Sequence, residues 1–211
     1  MILHKHTHPT VVLHKERSSL LIDPGTFTPA APRLVGETSA VLITHDHPDH
    51  FDVDLLSAAL ESQRELRIWA PADVVAQLHN DDGRVTVVAP GDRIDIDGFQ
   101  VDVVGGTHAV IHPDMPETGN VGYVIDDDVY HPGDSYHVPG LPVKTLLVPT
   151  SGPWAKLDAA VDFIRAVQPD RAIQIHDMML TAAGRQFFSQ FVDPLTGIEL
   201  LILEDGDAVQ L

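Results

Sequence analysis

A short apolar run, Ala40-Val41-Leu42-Ile43, leads directly into Thr44-His45-Asp46-His47-Pro48-Asp49-His50. Four consecutive residues of this kind read as a strand buried on both faces. Three imidazoles and two carboxylates then fill positions 45–50. Any fold for this chain must gather these polar groups at the end of a buried strand. Mixed imidazole and carboxylate donors suit zinc, manganese or iron, and their density argues for two ions rather than one.

The rest of the chain alternates short apolar runs with amphipathic stretches. Val11-Val12-Leu13 and Leu20-Leu21-Ile22 predict a hairpin around Lys15-Glu16-Arg17-Ser18, followed by a turn at Asp23-Pro24-Gly25. Asp52 is placed to cap a helix whose apolar face is Leu55, Leu56, Ala59 and Leu60. Ile68–Ala70 predicts a strand and Ala72–Leu78 a helix. Strands follow at 85–88, 93–96, 99–104, 121–125, 129–130 and 146–148. A helix over 159–167, a strand over 172–175, a helix over about 181–191, and strands at 198–203 and 208–209 complete the pattern. Strands that precede helices in two similar halves predict sheets packed together with helices outside. The rival is a (β/α) barrel. It needs strict alternation and about 250 residues, whereas this chain has hairpins and 211 residues.

Three further strand ends carry ligand-type side chains. His108 follows Val101–Thr107, Asp134 lies in Tyr130-His131-Pro132-Gly133-Asp134-Ser135, and His176 follows Ile173-Gln174-Ile175. Loops at strand ends are where functional side chains concentrate. The order of the three behind His-x-His-x-Asp-His is more informative than any one alone.

The charge balance narrows the partners. With 31 acidic against 13 basic residues the formal net charge is −18, which repels phosphate backbones and anionic lipid. A small-molecule substrate is expected, with neither nucleic acid nor membrane as partner. The chain lacks cysteine, which removes disulfides, thiolate metal sites and cysteine nucleophiles together. No apolar run approaches the roughly 18 residues of a membrane span. The N-terminus lacks the pattern of a secretory signal, so a cytoplasmic location is expected. A homo-oligomer is compatible with the chain, although no segment identifies an interface.

With these motifs in place, the chain resembles the metallo-β-lactamase superfamily, in particular the branch of ascorbate-phosphate lactonases and related metal-dependent hydrolases. The matching segments are Leu21-Ile22-Asp23-Pro24-Gly25, residues 44–50, His108, Asn120–Ile125, Gly133-Asp134-Ser135 and Ile175-His176. The resemblance implies one α+β domain over 1–211, an αββα sandwich of two mixed sheets packed face to face with helices outside. It implies two divalent ions, zinc first and manganese or iron next. One would be held by His45, His47 and His108, the other by Asp49, His50 and His176, with Asp134 bridging. Asp49 and Asp134 are thereby placed in the catalytic machinery, where a metal-activated water replaces a side-chain nucleophile.

Other residues carry weaker expectations. Asp23 either fixes the tautomer of a ligand histidine or simply starts the Asp-Pro-Gly turn. Asp46, between the ligands, is expected to point away. His4, His6 and His8 alternate, which on a strand would set them on one half-exposed face; His8 also matches a position near the site mouth. His112, Tyr136 and His137 are candidates for substrate contact or leaving-group protonation. His14, His79 and His131 read as surface or structural, and Trp154 as core packing, with the lining of an apolar part of the pocket as its alternative. The expected reaction is hydrolysis of a small-molecule ester or lactone. A phosphodiester, an iron-dependent oxidation and a non-catalytic scaffold are the alternatives.

Overall fold

The computed structural model describes residues 1–78 and 82–211. Strands β1 (Ile2–Lys5), β2 (Val11–Lys15), β3 (Ser18–Ile22), β4 (Ala40–Leu42), β5 (Arg67–Ala70), β6 (Val85–Val87) and β14 (Ala208–Gln210) make one seven-stranded sheet, ordered β14-β1-β2-β3-β4-β5-β6. The other seven make the second sheet: β7 (Arg93–Ile96), β8 (Phe99–Thr107), β9 (Gly119–Ile125), β10 (Val129–His131), β11 (Thr145–Pro149), β12 (Arg171–Ile175) and β13 (Leu200–Leu201). Their order is β13-β12-β11-β10-β9-β8-β7. In each sheet antiparallel pairs give way to parallel ones, at β3–β4 in the first and β10–β11 in the second. Two open sheets rule out the barrel.

Residue periodicity explains the layers. Leu20 and Ile22 face the second sheet, where Phe99, Val101, Tyr123, Leu147 and Ile173 meet them. Leu21, between them, points outward with Val41 and Ile43 against helices α1 (Ala31–Gly36) and α2 (Val53–Ser62). On the far side Val124, Tyr130, Leu146 and Val148 pack on α4 (Leu157–Val167) and α5 (Ala182–Thr196). Central strands are therefore buried on both faces, which accounts for their unbroken apolar runs. The result is a four-layer αββα sandwich. Asp52 caps α2 by accepting the Leu55 N–H at 3.0 Å.

Several boundaries differ from the sequence reading. The helix expected over 72–78 is the single turn α3 (Ala72–Val75), with i→i+3 bonds from Gln77 and Leu78 tightening its exit. Helix α5 runs past Phe191 to Thr196 and ends on left-handed Gly197. The strand expected over 198–203 shrinks to β13, because Asp193 Oδ1 takes the Leu200 N–H and only two residues pair with β12. The His4-His6-His8 alternation does not survive. β1 stops at Lys5, His6 N–H donates to Thr10 O at 2.8 Å, and His8 adopts φ 63°, so the three rings do not share a face. His79 lies outside the described residues. Among them, no helix is long and apolar enough to cross a membrane.

Candidate metal centre

The polar cluster sits at one edge of the sandwich, where β4, β8, β10 and β12 end. The loop after β4 brings His45, His47, Asp49 and His50; β8 leads into His108, β10 into Asp134, and β12 into His176. Parallel strands deliver their C-terminal loops to the same edge, so residues distant in sequence converge. Two groups form around Asp134. His45, His47 and His108 gather with it on one side, and His50 and His176 on the other; Asp49 groups with His176 and His8.

Asp134 divides its two oxygens between these groups. Oδ2 lies 3.2 Å from His108 Nε2 and 3.9 Å from His45 Nε2. Oδ1 lies 3.0 Å from His50 Nε2 and 3.2 Å from His176 Nε2. Despite that proximity His50 Nε2, His176 Nε2 and Asp134 Oδ1 are all buried without an aligned hydrogen-bond partner. Orphaned buried polar atoms are costly, and here they converge on one another. This is the pattern expected of ligand atoms that face a shared cation.

The opposite ring nitrogens are tied down, which fixes which atom faces the centre. His50 Nδ1 lies 2.7 Å from Asp23 Oδ2 and donates to it. His176 Nδ1 donates to Ser151 O at 2.6 Å, and His108 Nδ1 to Ala109 O. Thr44 Oγ1 gives its proton to Asp23 Oδ2 at 2.7 Å and so can accept from His45 Nδ1 at 3.0 Å. Those four rings present Nε2. His47 is the exception, turning Nδ1 to within 3.1 Å of His45 Nε2.

The supporting turns are close-packed. A Cβ on Gly25 would lie 2.0 Å from the Asp49 carbonyl oxygen, so the Asp-Pro-Gly turn presses directly on the loop that follows β4. Gly133 has φ 62°, and a Cβ there would meet Asn120 Oδ1 at 2.2 Å. The same Asn120 oxygen accepts the Asp134 N–H at 2.9 Å. Asp134 thus hangs from a turn that only glycine can form this tightly.

Electrostatics divide the two groups. Burial holds the pKa of His45 well below the usual imidazole range and lowers that of His47. Burial opposes charge on His50 too, but the carboxylates of Asp134 and Asp23 outweigh it and raise its pKa well above normal. His176 is raised in the same way by Asp134 and Asp49. Asp134 and Asp49, despite burial, are held well below the ordinary carboxylate range by the histidines around them. Buried carboxylates of this kind demand positive charge. Burial thus favours His45 and His47 as neutral donors, and at His50 and His176 a divalent ion would take the place of the proton that the carboxylates otherwise favour.

The expected site residues do not all meet. His8 is fully buried against the second group: Nε2 lies 3.0 Å from Asp49 Oδ2, and its ring is 3.7 Å from that of His176. Asp23 is buried and bonded to His50 rather than serving only a turn. Asp46 lies outside the groups and accepts from Gln77 at 3.4 Å. His112 is exposed but lines the cavity beside His47 and His108. Tyr136 donates to Pro149 O at 3.0 Å and packs edge to face against Trp154. His137 is exposed and lines a different cleft with Pro90 and Leu141. His131 is buried and structural, donating from Nε2 to Pro9 O at 2.8 Å.

Three contributors received no role in the centre from the sequence. Trp154 donates its indole N–H to Asp134 Oδ2 at 3.0 Å, so it is more than core packing. Thr44 and Asn120 organise Asp23 and Asp134. Thr44, which opens the histidine run, and Asn120, which opens the matching segment 120–125, could have been suspected from the chain alone.

The sandwich and the paired histidine–carboxylate groups define the class. Residues 2–176 match the beta-lactamase superfamily domain, and the chain belongs to that superfamily. The matched segment ends at His176, so it contains every residue grouped here, while α5, β13 and β14 lie beyond it. The chain is 36% identical over 207 residues to Protein Rv0786c of Mycobacterium tuberculosis, covering 96% of each. Its fold is similar to that of Igni18, described as a novel metallo hydrolase of Ignicoccus hospitalis, with TM-score 0.73, 18% identity and coverage of 99% and 97%. It is also similar to CmlA, a diiron beta-hydroxylase of Streptomyces venezuelae, with TM-score 0.72 and 16% identity over 100% of this chain and 54% of that one.

Proposed function

We propose that this chain is a hydrolase that uses two divalent metal ions to cleave an ester or lactone of a small molecule. The carrying observation is the division of Asp134. One oxygen faces His108 and His45, the other faces His50 and His176, and on the second side Asp134 Oδ1, His50 Nε2 and His176 Nε2 lack hydrogen-bond partners. His45, His47 and His108 would hold one ion and Asp49, His50 and His176 the other, with Asp134 shared. When bound, such ions acidify a water toward neutral pH and polarise the carbonyl it attacks.

The chain's own residues supply the setting. Asp23, Ser151 and Ala109 tie Nδ1 of His50, His176 and His108, so these rings already turn Nε2 toward the centre. Trp154 holds the Asp134 carboxylate in place. His8 and His176 keep Asp49 ionised beside the second group. His112, at the cavity wall, is assigned to contact substrate. Tyr136 and His137 have partners elsewhere and receive no step. Zinc is the first choice of metal, followed by manganese.

Elemental mass spectrometry of untagged protein, purified without chelator or added metal, tests this reading. About two zinc or manganese ions per chain, with turnover of esters or lactones, is the expected result. A metal-free protein that takes up no ion on reconstitution would overturn it. Iron would favour the oxidative alternative, for which the similarity to the diiron CmlA is the supporting observation.

A further inference from the structure

A cavity of about 370 Å³ opens from the first histidine group, sharing His47 and His108 with it. That volume lies within the roughly 300–1,000 Å³ of small-molecule sites. The rest of its wall is the loop between β8 and β9, residues 109–118. Ala109, Val110, Ile111, Pro113, Met115 and Pro116 line it, and no lysine or arginine does. Its one carboxylate is Glu117.

Two observations set this wall apart from ordinary surface. First, Val110 is 70% exposed and Met115 52% exposed, so the loop holds large apolar groups in water beside a polar centre. Single exposed apolar residues are unremarkable, but contiguous ones mark binding sites. Second, loops beside the other histidine group do the same. Phe27, exposed, packs on His8 with ring centres 5.5 Å apart, and exposed Met178 and Met179 directly follow the His176 loop. An anionic ligand entering here would meet Glu117, no cation of the wall, and a chain of net charge −18.

Building on the metal-hydrolase reading, we propose that the 109–118 cavity receives an uncharged apolar arm of the substrate, alkyl or aryl. The substrate class is therefore a neutral ester or lactone with a hydrophobic chain, rather than a phosphorylated or otherwise anionic small molecule. The reactive carbonyl lies at the histidine groups, and the arm extends over Val110, Ile111 and Met115. Burying each methylene there strengthens binding by roughly fourfold.

The test uses the full chain loaded with zinc and a series of straight-chain hydroxamic acids from acetohydroxamate to octanohydroxamate. The hydroxamate head anchors on the metal whatever the tail, so calorimetric affinity against chain length reads the cavity without requiring turnover. Affinity is expected to climb by roughly fourfold per methylene over the first several carbons. Val110→Asp is expected to flatten that slope, while Phe187→Asp, on the exposed face of α5, keeps it. Equal affinity across the series, or an unchanged slope in Val110→Asp, would overturn the cavity assignment and leave the metal centre standing. Failure of every hydroxamate to bind, the shortest included, would overturn the metal-hydrolase reading and this inference with it.

Discussion

His8 Nε2 lies 3.0 Å from Asp49 Oδ2, although 41 residues separate them in sequence. The backbone N–H of Met178 approaches His8 Nδ1 at 3.4 Å, which leaves the Nε2 proton for Asp49. His8→Phe keeps a buried ring and removes the donor. Removing such an outer partner typically costs 10–100-fold in metal affinity. The loss is expected in the group containing Asp49, His50 and His176, with the His45 group keeping its ion. Competitive chelator titration resolves the two. Equal weakening of both, or of neither, would refute this positioning role.

Asp134 faces both groups, so Asp134→Ala is expected to lower metal content at each and to abolish hydrolysis. Elemental analysis beside an ester assay provides the check. Full activity with normal metal content would sink the bridging assignment.

Lys5 and Asp177 form a buried ion pair, Nζ to Oδ1 at 2.8 Å, with side chains 3% and 4% exposed. It ties β1 to the residue that follows His176. Lys5→Met would leave Asp177 with only Arg185, at 3.4 Å. Breaking one side of a buried pair costs about 3 kcal/mol. A lower urea midpoint together with weaker metal retention is predicted. An unchanged midpoint would show that Arg185 compensates fully.

Acid should destabilise the fold through His131. Its Nε2–H donates to Pro9 O and its Nδ1 accepts the Gly133 N–H, an arrangement that only the neutral ring can make. Burial lowers its pKa below the ordinary 6.5, with Asp23 partly opposing. The unfolded chain then binds the extra proton first. This contribution to stability is complete above about pH 6.5 and is lost as the pH falls toward the folded value. Urea midpoints from about pH 8 to about pH 5.5 should fall less steeply for His131→Gln, by about one proton's worth of slope. Identical slopes would exclude His131 as the source.

Much of the fold was legible in the chain. Runs such as Leu20-Leu21-Ile22 and Leu146-Leu147-Val148 are apolar on both faces because each strand lies between a second sheet and a helix. Asp52 announced its helix because a cap is a local device. Element ends were harder to read. The arrest of α3 after Val75, the extension of α5 to Thr196 and the shortening of β13 depend on particular bonds such as Asp193 to Leu200, which periodicity does not encode. The alternating His4, His6 and His8 were misleading because a turn closed by Thr10 breaks the strand first.

By itself the sequence determined that strands would end in ligand-type residues, and in what order, because a strand's apolar run and the loop that follows are both local patterns. Tertiary structure alone decided which Asp134 oxygen faces which imidazoles, that Trp154 would grip that carboxylate, and that His8 would lie beneath Asp49. It also decided that loop 109–118 would wall a cavity next to His47 and His108. Most of these relations join residues 20 to 89 positions apart. They are set by how two sheets stack and how parallel strands share one edge, and no local preference of the chain specifies that.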